Sequence, residues 1–386
     1  MSKSYYSLGL MSGTSMDGVD ASIIKTDGKS KYKAILDKYF EYPKDIYQNL
    51  TKLRDKIKGP KDLKKHQKQI KSVEKEITIF HAKAVNETLK KTKVNVDFIG
   101  FHGQTIFHNA KEKISRQLGD GKLLSKLTKK KVVYDFRQND LKNGGQGAPL
   151  TPIFHNLLVK KKYKAQLQFP WLFINLGGIA NYTFISKHEV SREAVAKRYD
   201  KEFEEYLIIS EDSGPGNCLI DQWIKENSNL LYDKDGKIAS LGKINNEVKN
   251  KMSSNLLKKK SYDIKDFNLS FCKELSLKDG AATLVQFTAD TLFNSINRYI
   301  NGNWAIKVHI FISGGGRKNK FLIDKIKNKT SMKVKLIDDL GIEGDFVESQ
   351  AFAYLAIRSY LKLPISFPDT TGCEKPCTGG IIVKNF

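Results

Sequence analysis

The most telling part of this chain reads Tyr5-Tyr6-Ser7-Leu8-Gly9-Leu10-Met11-Ser12-Gly13-Thr14-Ser15-Met16-Asp17-Gly18-Val19-Asp20-Ala21-Ser22-Ile23-Ile24. Two apolar-rich runs flank a turn that consists almost wholly of Gly, Ser, Thr and Asp. This pattern predicts a β-hairpin, and Asp17-Gly18 stands where a tight turn needs residues that tolerate positive φ angles. The chain is therefore expected to open with two antiparallel strands.

The turn of this hairpin has the composition of an anion site. Its small residues leave backbone N–H groups, and the hydroxyls of Ser12, Thr14 and Ser15, free to face a polyphosphate. Asp17 is placed to bind a phosphate-coordinated cation, directly or through water. An ordinary exposed hairpin has a similar composition, so the turn alone leaves both interpretations open.

Composition indicates a globular protein with room for two domains. The chain has 386 residues, of which 40% are hydrophobic. No run of about 18 apolar residues is present, so we expect no membrane span, and no signal peptide is visible. Four cysteines in a chain of this length do not form a disulfide framework, which favours a cytoplasmic protein.

The net charge of +24 comes mainly from lysine, since only eight of the 66 basic residues are arginine. Proteins that read nucleic acids usually concentrate basic residues on one face and use arginine and aromatic side chains for the bases. The lysines here recur along predicted exposed helix faces. We therefore expect a lysine-biased surface and no dedicated nucleic-acid partner.

Strands followed by small-residue turns recur along the chain. Gly177-Gly178 follows an apolar strand, and Gly314-Gly315-Gly316 follows another. Open α/β sheets bind ligands beyond the carboxyl ends of their strands, so these turns and the first hairpin are expected to converge on one cleft. Two hairpin-led halves predict an N-terminal domain over residues 1–130 and a C-terminal domain over residues 131–386.

A long polar stretch, Lys44 to Lys91, is predicted to be helical. Its apolar residues recur at helical spacing and form one stripe, which comprises Val73, Ile77, Phe80, His81, Ala84, Val85 and Leu89.

Several residues in the turns have the chemistry of an active site. Asp212 lies in a predicted loop that contains Pro215 and can act as a general base there, although a structural turn aspartate is the commoner occurrence. His102 and Gln104 follow a short strand and offer polar contacts to a sugar-like ligand, although a buried structural histidine fits as well. The three glycines at 314–316 let a flat ring approach the backbone, or simply form a flexible turn.

Taken in order, these motifs resemble the first phosphate, second phosphate and adenosine elements of the actin/sugar-kinase/Hsp70 ATPase superfamily. More closely, the whole chain resembles the anhydro-N-acetylmuramic acid kinase family. The matching runs are Gly9 to Asp20, His102-Gly103-Gln104-Thr105, Asp135-Phe136-Arg137, Gly144 to Leu150, Asn175 to Asn181, Asp212 to Asn217 and Ser313 to Gly316.

The resemblance implies two actin-like ATPase (ribonuclease H-like) α/β domains around a central nucleotide and substrate cleft. It implies that Asp212 is the catalytic base, that ATP and Mg²⁺ are the cofactors, and that Asp17 holds the metal, directly or through water. The implied substrate-binding residues are His102, Gln104, Asn181 and Glu348. The implied ATP-binding residues are Gly13, Thr14, Ser15, Met16, Asp17, Gly18, Val19, Asp20, Gly177, Gly178, Gly314, Gly315 and Gly316.

The implied reaction hydrolytically opens the ring of 1,6-anhydro-N-acetylmuramic acid and phosphorylates it to N-acetylmuramic acid 6-phosphate, in peptidoglycan recycling and amino-sugar catabolism. A homodimer is left open. The alternatives are a kinase of another sugar on the same fold, and a non-enzymatic protein that binds nucleotides or polyanions. One departure from the family is Lys260 to Asp266, where members often have Ser-Thr-Gly-Arg-Glu, and it leaves local contacts of that loop open.

Overall fold

The computed structural model of the chain describes residues 3–162, 170–187, 206–257, 259, 261–300 and 308–386. These residues divide into two compact units. The first unit contains residues 3–162 and 346–386, and the second contains residues 170–187 and the described residues between 206 and 345. Each unit has its own sheet and its own apolar core.

The sheet of the first unit has seven strands, and its main path runs β12-β6-β4-β1-β2-β3 while β5 pairs with β4. The strands β1, β2 and β3 form an antiparallel meander, whereas β1, β4 and β6 are parallel. Their bounds are β1 Tyr5–Ser12, β2 Gly18–Thr26, β3 Tyr32–Glu41, β4 Phe98–Asn109, β5 Ile114–Leu118, β6 Lys131–Tyr134 and β12 Ile381–Val383.

The sheet of the second unit repeats this topology. Its five strands run β11-β10-β7-β8-β9, with β7, β8 and β9 antiparallel and β7, β10 and β11 parallel. Their bounds are β7 Trp171–Leu176, β8 Ile179–Lys187, β9 Tyr206–Pro215, β10 His309–Ser313 and β11 Val334–Leu336. The repeated order confirms the predicted fold class of two related α/β domains, each of which begins with a hairpin.

The α-helices of the described residues vary widely in length, and two of them reach 24 residues. Neither of these two, nor another helix in the described ranges, is apolar enough over its length to cross a membrane. The bounds are α1 Lys44–Lys56, α2 Pro60–Lys65, α3 Gln67–Lys90, α4 Gly121–Thr128, α5 Gln138–Lys142, α6 Pro152–Lys162, α7 Cys218–Asn227, α8 Asn246–Asn255, α9 Leu277–Ile300, α10 Lys320–Lys327, α11 Val347–Tyr360 and α12 Pro368–Thr371.

The predicted helical stretch from Lys44 to Lys91 is three helices, α1 to α3, rather than one. It breaks at Gly59-Pro60, where Gly59 is extended and Pro60 begins α2, because the residue before a proline disfavours the α conformation. Every lysine of these three helices is exposed, as the sequence indicates. The apolar stripe of α3 packs inward as predicted, with Phe80 and Leu89 only half-buried.

The division into units differs from the predicted boundary near residue 130. Strand β6 pairs in parallel with β4 and so belongs to the first sheet. Helix α11 returns to this unit from near the C-terminus and packs on β1, β2 and β4. This packing depends on two glycines, because a β-carbon on Gly9 would lie 1.8 Å from the Ser349 carbonyl oxygen and one on Gly100 2.2 Å from that of Phe352. Hydrogen bonding and close helix–sheet packing thus join segments more than 200 residues apart.

Candidate active site

The turn of the first hairpin spans residues 13–17 and is exposed at Thr14, Ser15 and Asp17. The Met16 N–H donates to the Gly13 carbonyl over 3.2 Å. The positive φ angle, 58°, falls on Met16 and not on the predicted Asp17-Gly18 pair. The Met16 side chain is 1% exposed and packs in the core, at a residue whose backbone has a positive φ that residues other than glycine rarely adopt.

The residues that follow the turn have structural roles in the first sheet. Gly18 packs against β3, since a β-carbon there would lie 2.4 Å from the Phe40 carbonyl oxygen and 2.6 Å from the Tyr39 ring. The side chain of Val19 is wholly buried, whereas Asp20 is half-buried and pairs with Met11. Among residues 12–20, exposure is therefore limited to Thr14, Ser15 and Asp17, and the hydroxyl of Ser12, a predicted phosphate contact, is buried.

Gln104 supports this hairpin from within the first unit. Its side chain is wholly buried, its Oε1 accepts from Ser12 Oγ over 2.6 Å, and its Nε2 donates to the Gly13 carbonyl over 3.0 Å. Ser12 Oγ also lies 2.8 Å from the Gly18 carbonyl oxygen, so this side chain contacts both ends of the turn. Both groups of the Gln104 amide are thus bonded inside the protein, which favours a supporting role over direct contact with a sugar.

Asp17 is the exposed carboxylate of the turn. Its Oδ1 accepts from Ser15 Oγ over 2.6 Å, and its backbone carbonyl accepts from the Tyr42 N–H over 2.8 Å, which ties the turn to the end of β3. The described residues contain no group of three or more His, Cys, Asp or Glu side chains that could hold a metal ion. A single carboxylate suits Mg²⁺ when the other ligands are phosphate oxygens and water. The donor set here therefore fits a phosphate-borne Mg²⁺ and not a protein-caged one.

In the second unit, the Gly177-Gly178 turn is held by the segment that follows β9. The Gly177 carbonyl accepts from the Asn217 N–H over 2.8 Å, and the Gly178 carbonyl accepts from those of Gly216 and Cys218 over 3.0 and 3.1 Å. A β-carbon on Gly216 would lie 2.2 Å from the Gly177 oxygen. Two motifs that are separate in sequence therefore form one compact structure.

The triple-glycine loop after β10 joins the same structure. Gly314, with a φ of 80°, packs so closely on β7 that a β-carbon would lie 2.4 Å from Asn175 Oδ1. Gly316 packs in the same way on Leu176 and Asn217, at 2.7 and 3.0 Å. Gly315 differs, because it is exposed and a β-carbon there would have no neighbour within 4 Å. An open backbone between two tightly packed glycines fits the approach of a flat ring.

Asp212 lies within strand β9 and not in the predicted loop, since β9 continues to Pro215. It pairs across the sheet with Asn181, and both side chains are half-buried. The register shifts beside this pair, so that Ser213 is an extra residue whose Oγ donates to the Ala180 carbonyl over 3.0 Å. Such bulges redirect side chains and are frequent next to active sites. The structure thus brings the candidate base and one predicted sugar ligand together.

The segment 261–266 contacts Asp212 directly. The Tyr262 N–H donates to Asp212 Oδ2 over 2.8 Å. The Tyr262 hydroxyl in turn donates to the Leu257 carbonyl over 3.0 Å, and its ring packs on Phe267. Lys260 lies outside the described residues. This segment therefore supplies a backbone donor to the candidate base.

His102 lies inside strand β4, which continues to Asn109, and not at the end of a strand as predicted. Its ring is 4% exposed, with Nδ1 2.8 Å from the Gly103 carbonyl oxygen and Nε2 3.1 Å from Arg137 Nε. Burial, together with the Arg137 charge, holds the pKa of His102 well below its usual value. A neutral ring that donates through Nδ1 and accepts from the guanidinium satisfies both contacts.

Glu348 lies in the first turn of α11, within electrostatic range of Arg137. Removal from water raises the pKa of Glu348, and the Arg137 charge opposes this rise. The helix is anchored beside it, since Ser349 Oγ lies 2.6 Å from Ser22 Oγ and Gln350 Nε2 donates to both Asp37 carboxylate oxygens over 3.0 Å. Arg137 is the residue of this cluster that sequence analysis missed, although it stands in the Asp-Phe-Arg run directly after β6.

The buried histidines of the first unit predict acid sensitivity. Burial lowers the pKa of His81 and His108 to about 4 and that of His155 to about 3, while His102 also stays neutral. Below pH about 6.5 the unfolded chain binds protons that the folded chain does not, so each group costs about 1.4 kcal/mol of unfolding free energy per pH unit. We expect the free energy of unfolding, measured by urea denaturation, to fall steadily from pH 6.5 to pH 4.5.

The pH window separates this effect from that of the carboxylates in ion pairs. The pKa values of Asp290, Asp338 and Asp345 are lowered, so their contribution is lost only below about pH 4. Burial raises the pKa of Asp37, Asp135 and Glu348, and these carboxyls bind protons first in the folded chain, which offsets part of the loss caused by the four histidines. A free energy of unfolding that stays constant between pH 6.5 and 5 would contradict the prediction.

Comparison with known proteins identifies one family. The family model described as "Anhydro-N-acetylmuramic acid kinase" matches residues 5–385. A protein of that name from Pelagibacter ubique is 51% identical over 393 residues, and the match covers all of both chains. Proteins of the same name from Brucella canis and Zymomonas mobilis are 35% and 36% identical, with coverage of at least 97% of either chain.

Solved structures that align with this chain have much lower sequence identity to it. The activator of 2-hydroxyisocaproyl-CoA dehydratase from Clostridium difficile with bound ADPNP has a TM-score of 0.40 at 10% identity, and the match covers 91% of this chain and 94% of that one. A ROK hexokinase from Thermus thermophilus has a TM-score of 0.32 at 11% identity, with coverage of 91% and 99%. At these scores neither likeness bears on the function of the chain.

Proposed function

Because the chain belongs to the anhydro-N-acetylmuramic acid kinase family, we propose that it uses ATP to convert 1,6-anhydro-N-acetylmuramic acid into N-acetylmuramic acid 6-phosphate, a step of peptidoglycan recycling. The observation that carries this proposal is the family match from residue 5 to residue 385, together with 51% identity over the whole length of a relative of that name. The described geometry supports it, since the predicted phosphate turns and the candidate base are all ordered by specific contacts.

The proposed reaction couples hydrolysis of the anhydro bridge to phosphoryl transfer. Asp212 accepts a proton from a water molecule, whose oxygen forms a bond to C1 of the sugar while the bond from C1 to O6 breaks. O6 then bonds to the γ-phosphorus of ATP, and the bond to the bridging oxygen breaks to release ADP. A positioned base contributes to the first part, whereas orientation and charge neutralisation dominate the second. The Tyr262 N–H holds one oxygen of Asp212 and supports this role.

We propose that the phosphates of ATP lie against the Gly13–Asp17 part of the first hairpin and against the Gly177-Gly178 turn, and that the nucleoside lies at Gly315. The exposed Thr14, Ser15, Asp17 and Gly315 support the assignment, and the Gly177-Gly178 turn is half-buried. Mg²⁺, when bound, neutralises phosphate charge. Asp17 would hold it directly or through water, as the single carboxylate of the turn suits a phosphate-borne ion.

For the sugar we propose Asn181, which pairs with Asp212, and the Glu348 carboxyl in the first unit. His102 would act through Arg137, because both of its ring nitrogens already have partners. Arg137 adds a cation, which suits a substrate that is itself a carboxylic acid. We further propose the cytoplasm as the compartment, since the reaction consumes ATP and all four cysteines are free.

One assay separates this function from its alternatives. ADP release is measured with purified protein, ATP and Mg²⁺ in four reactions that contain the anhydro sugar, ring-opened N-acetylmuramic acid, glucose or no sugar. We expect release only with the anhydro sugar. Release with glucose would indicate a kinase of another sugar, and release in none of the four reactions would indicate a protein that only binds nucleotides or polyanions.

The first hairpin offers a clean test of nucleotide binding. We expect Gly13→Val to raise the KM for ATP by about tenfold or more, because the valine side chain would keep the phosphates away from the backbone N–H groups. The loss of one hydrogen bond to a charged group has about this effect. The fold should tolerate the change, because the nearest atom to a β-carbon at Gly13 is Ser15 Oγ at 3.7 Å. The KM is measured with the coupled ADP assay.

Gly59→Val is the matched control, since a β-carbon there has no neighbour within 4 Å and the residue is extended. It should leave the KM for ATP unchanged. Gly18→Val is unsuitable, because a side chain would strike the Phe40 carbonyl. A Gly13→Val protein with the parental KM would refute the phosphate assignment.

A further inference from the structure

Arg317 follows the triple-glycine loop and is only 6% exposed. Its guanidinium makes five contacts. Nε and Nη2 donate to the two oxygens of Asp338 over 2.8 and 3.1 Å, and Nη1 donates to Asp345 Oδ1 over 2.5 Å and to the Gly314 carbonyl over 3.2 Å. Nη2 also donates to Glu343 Oε1 over 3.2 Å. One buried cation thus connects the glycine loop to the whole segment 338–345.

The backbone of that segment closes on the same side chain. The Gly344 carbonyl accepts from the Gly314 N–H over 3.3 Å, and the Gly344 N–H donates to Asp338 Oδ1 over 3.3 Å. A β-carbon on Gly344 would lie 2.4 Å from Arg317 Nε, so the chain passes directly over the guanidinium. The backbone of Gly314 is therefore held on both sides, because its N–H donates to the Gly344 carbonyl and its own carbonyl accepts from the Arg317 guanidinium.

The cluster depends on this cation for its charge balance. Three carboxylates surround Arg317, and Lys318 also binds one of them, Asp345 Oδ2, over 2.6 Å but is 63% exposed. Burial alone would raise the pKa of Asp338 and Asp345, but the hydrogen bonds and charge of Arg317 help to hold both pKa values below their usual range. Removal of the guanidinium would leave these carboxylates to repel one another and would free the loop they hold.

We propose that Arg317 is a positioning residue for the nucleoside of ATP. It holds Gly314 in its left-handed conformation and thereby keeps Gly315, the open residue of the loop, in one arrangement. Three consecutive glycines lose much conformational entropy when they are ordered, so a loop that is ordered in advance binds its ligand more tightly. This inference rests on the proposed function only in taking the 314–316 loop as the nucleoside contact.

The test measures nucleotide binding and turnover separately. In Arg317→Met, we expect the Kd for ADP and for AMP, measured by calorimetry, and the KM for ATP to rise at least about tenfold. The kcat at saturating ATP and the Kd for the anhydro sugar alone should stay within about threefold of the parent. Arg317→Lys should give an intermediate Kd, because a lysine keeps the charge but not the two-oxygen contact with Asp338.

Lys318→Met is the matched control, since it removes a neighbouring exposed charge. It should leave the Kd values for ADP, AMP and the anhydro sugar, the KM for ATP and kcat unchanged. An equal loss in Lys318→Met, or parental Kd values in a folded Arg317→Met protein, would overturn the proposal. An effect on ADP without one on AMP would also overturn it, since the loop would then act on phosphates. If Arg317→Met does not fold, Asp338→Asn decides, with a raised Kd in support and a parental one against. A parent that binds ADP but fails the sugar assay would refute the proposed function alone.

Discussion

Asp212→Asn is expected to lower kcat by about 10²- to 10⁴-fold, the usual contribution of a general base, and to leave the Kd for ADP unchanged. The side chain stays the same size, and its carbonyl oxygen can still accept from the Tyr262 N–H that now binds Oδ2. The amide cannot accept a proton from water, so the substitution should slow the chemical step and leave nucleotide binding unchanged. The measurement is kcat from the coupled ADP assay, with ADP binding by calorimetry.

Glu211→Gln is the control for this substitution. Glu211 is the preceding residue on β9, where its carboxylate accepts from Tyr182 and Arg298, each over 2.8 Å. Its replacement removes a neighbouring carboxylate from the same strand and should keep most of the turnover. If Asp212→Asn turned over at a near-parental rate, Asp212 would be a structural strand residue and the proposed hydrolytic step would need another base.

Gly9→Ala is expected to cost more than about 3 kcal/mol of unfolding free energy, at the upper end of the range for overpacked cores. The added carbon would lie 1.8 Å from the Ser349 carbonyl oxygen and 2.5 Å from the Ala353 backbone nitrogen, both in α11. Backbone atoms cannot move aside as a flexible side chain can, so the whole helix must shift away from β1. Urea denaturation of the purified variant measures the loss.

The same shift should affect function, because α11 carries Glu348 in its first turn. Gly59→Ala serves as the control, since that site is open and extended, and its stability should stay within about 0.5 kcal/mol of the parent. A Gly9→Ala protein with the stability of the parent would mean that α11 does not pack on β1 as described.

Much of the fold and of the candidate site followed from local sequence. The alternation of apolar residues around the 13–17 and 177–178 turns predicted both hairpins, and the resemblance led to Asp212 and to Glu348. Such features depend on neighbours within a few residues, where periodicity and turn chemistry limit the backbone strongly. The cluster around Asp212 was predicted as a loop, because a bulge that prolongs β9 depends on pairing with β8.

Other features depended on partners that are remote in the sequence. Strand β6 and helix α11 joined the first unit through contacts with β4 and β1, so a boundary near residue 130 could not be corrected from composition. Gln104 became a support of the hairpin because Ser12 lies beside it across parallel strands. Which side chain meets which carbonyl across such distances is set by the packing of whole strands and helices, and it leaves no local signal. The amino-acid sequence by itself therefore determined the elements and the kind of chemistry in their turns. The tertiary structure alone decided which residues of those turns are exposed and which side chains, like those of Gln104 and Arg317, are bonded to the turns from within the protein.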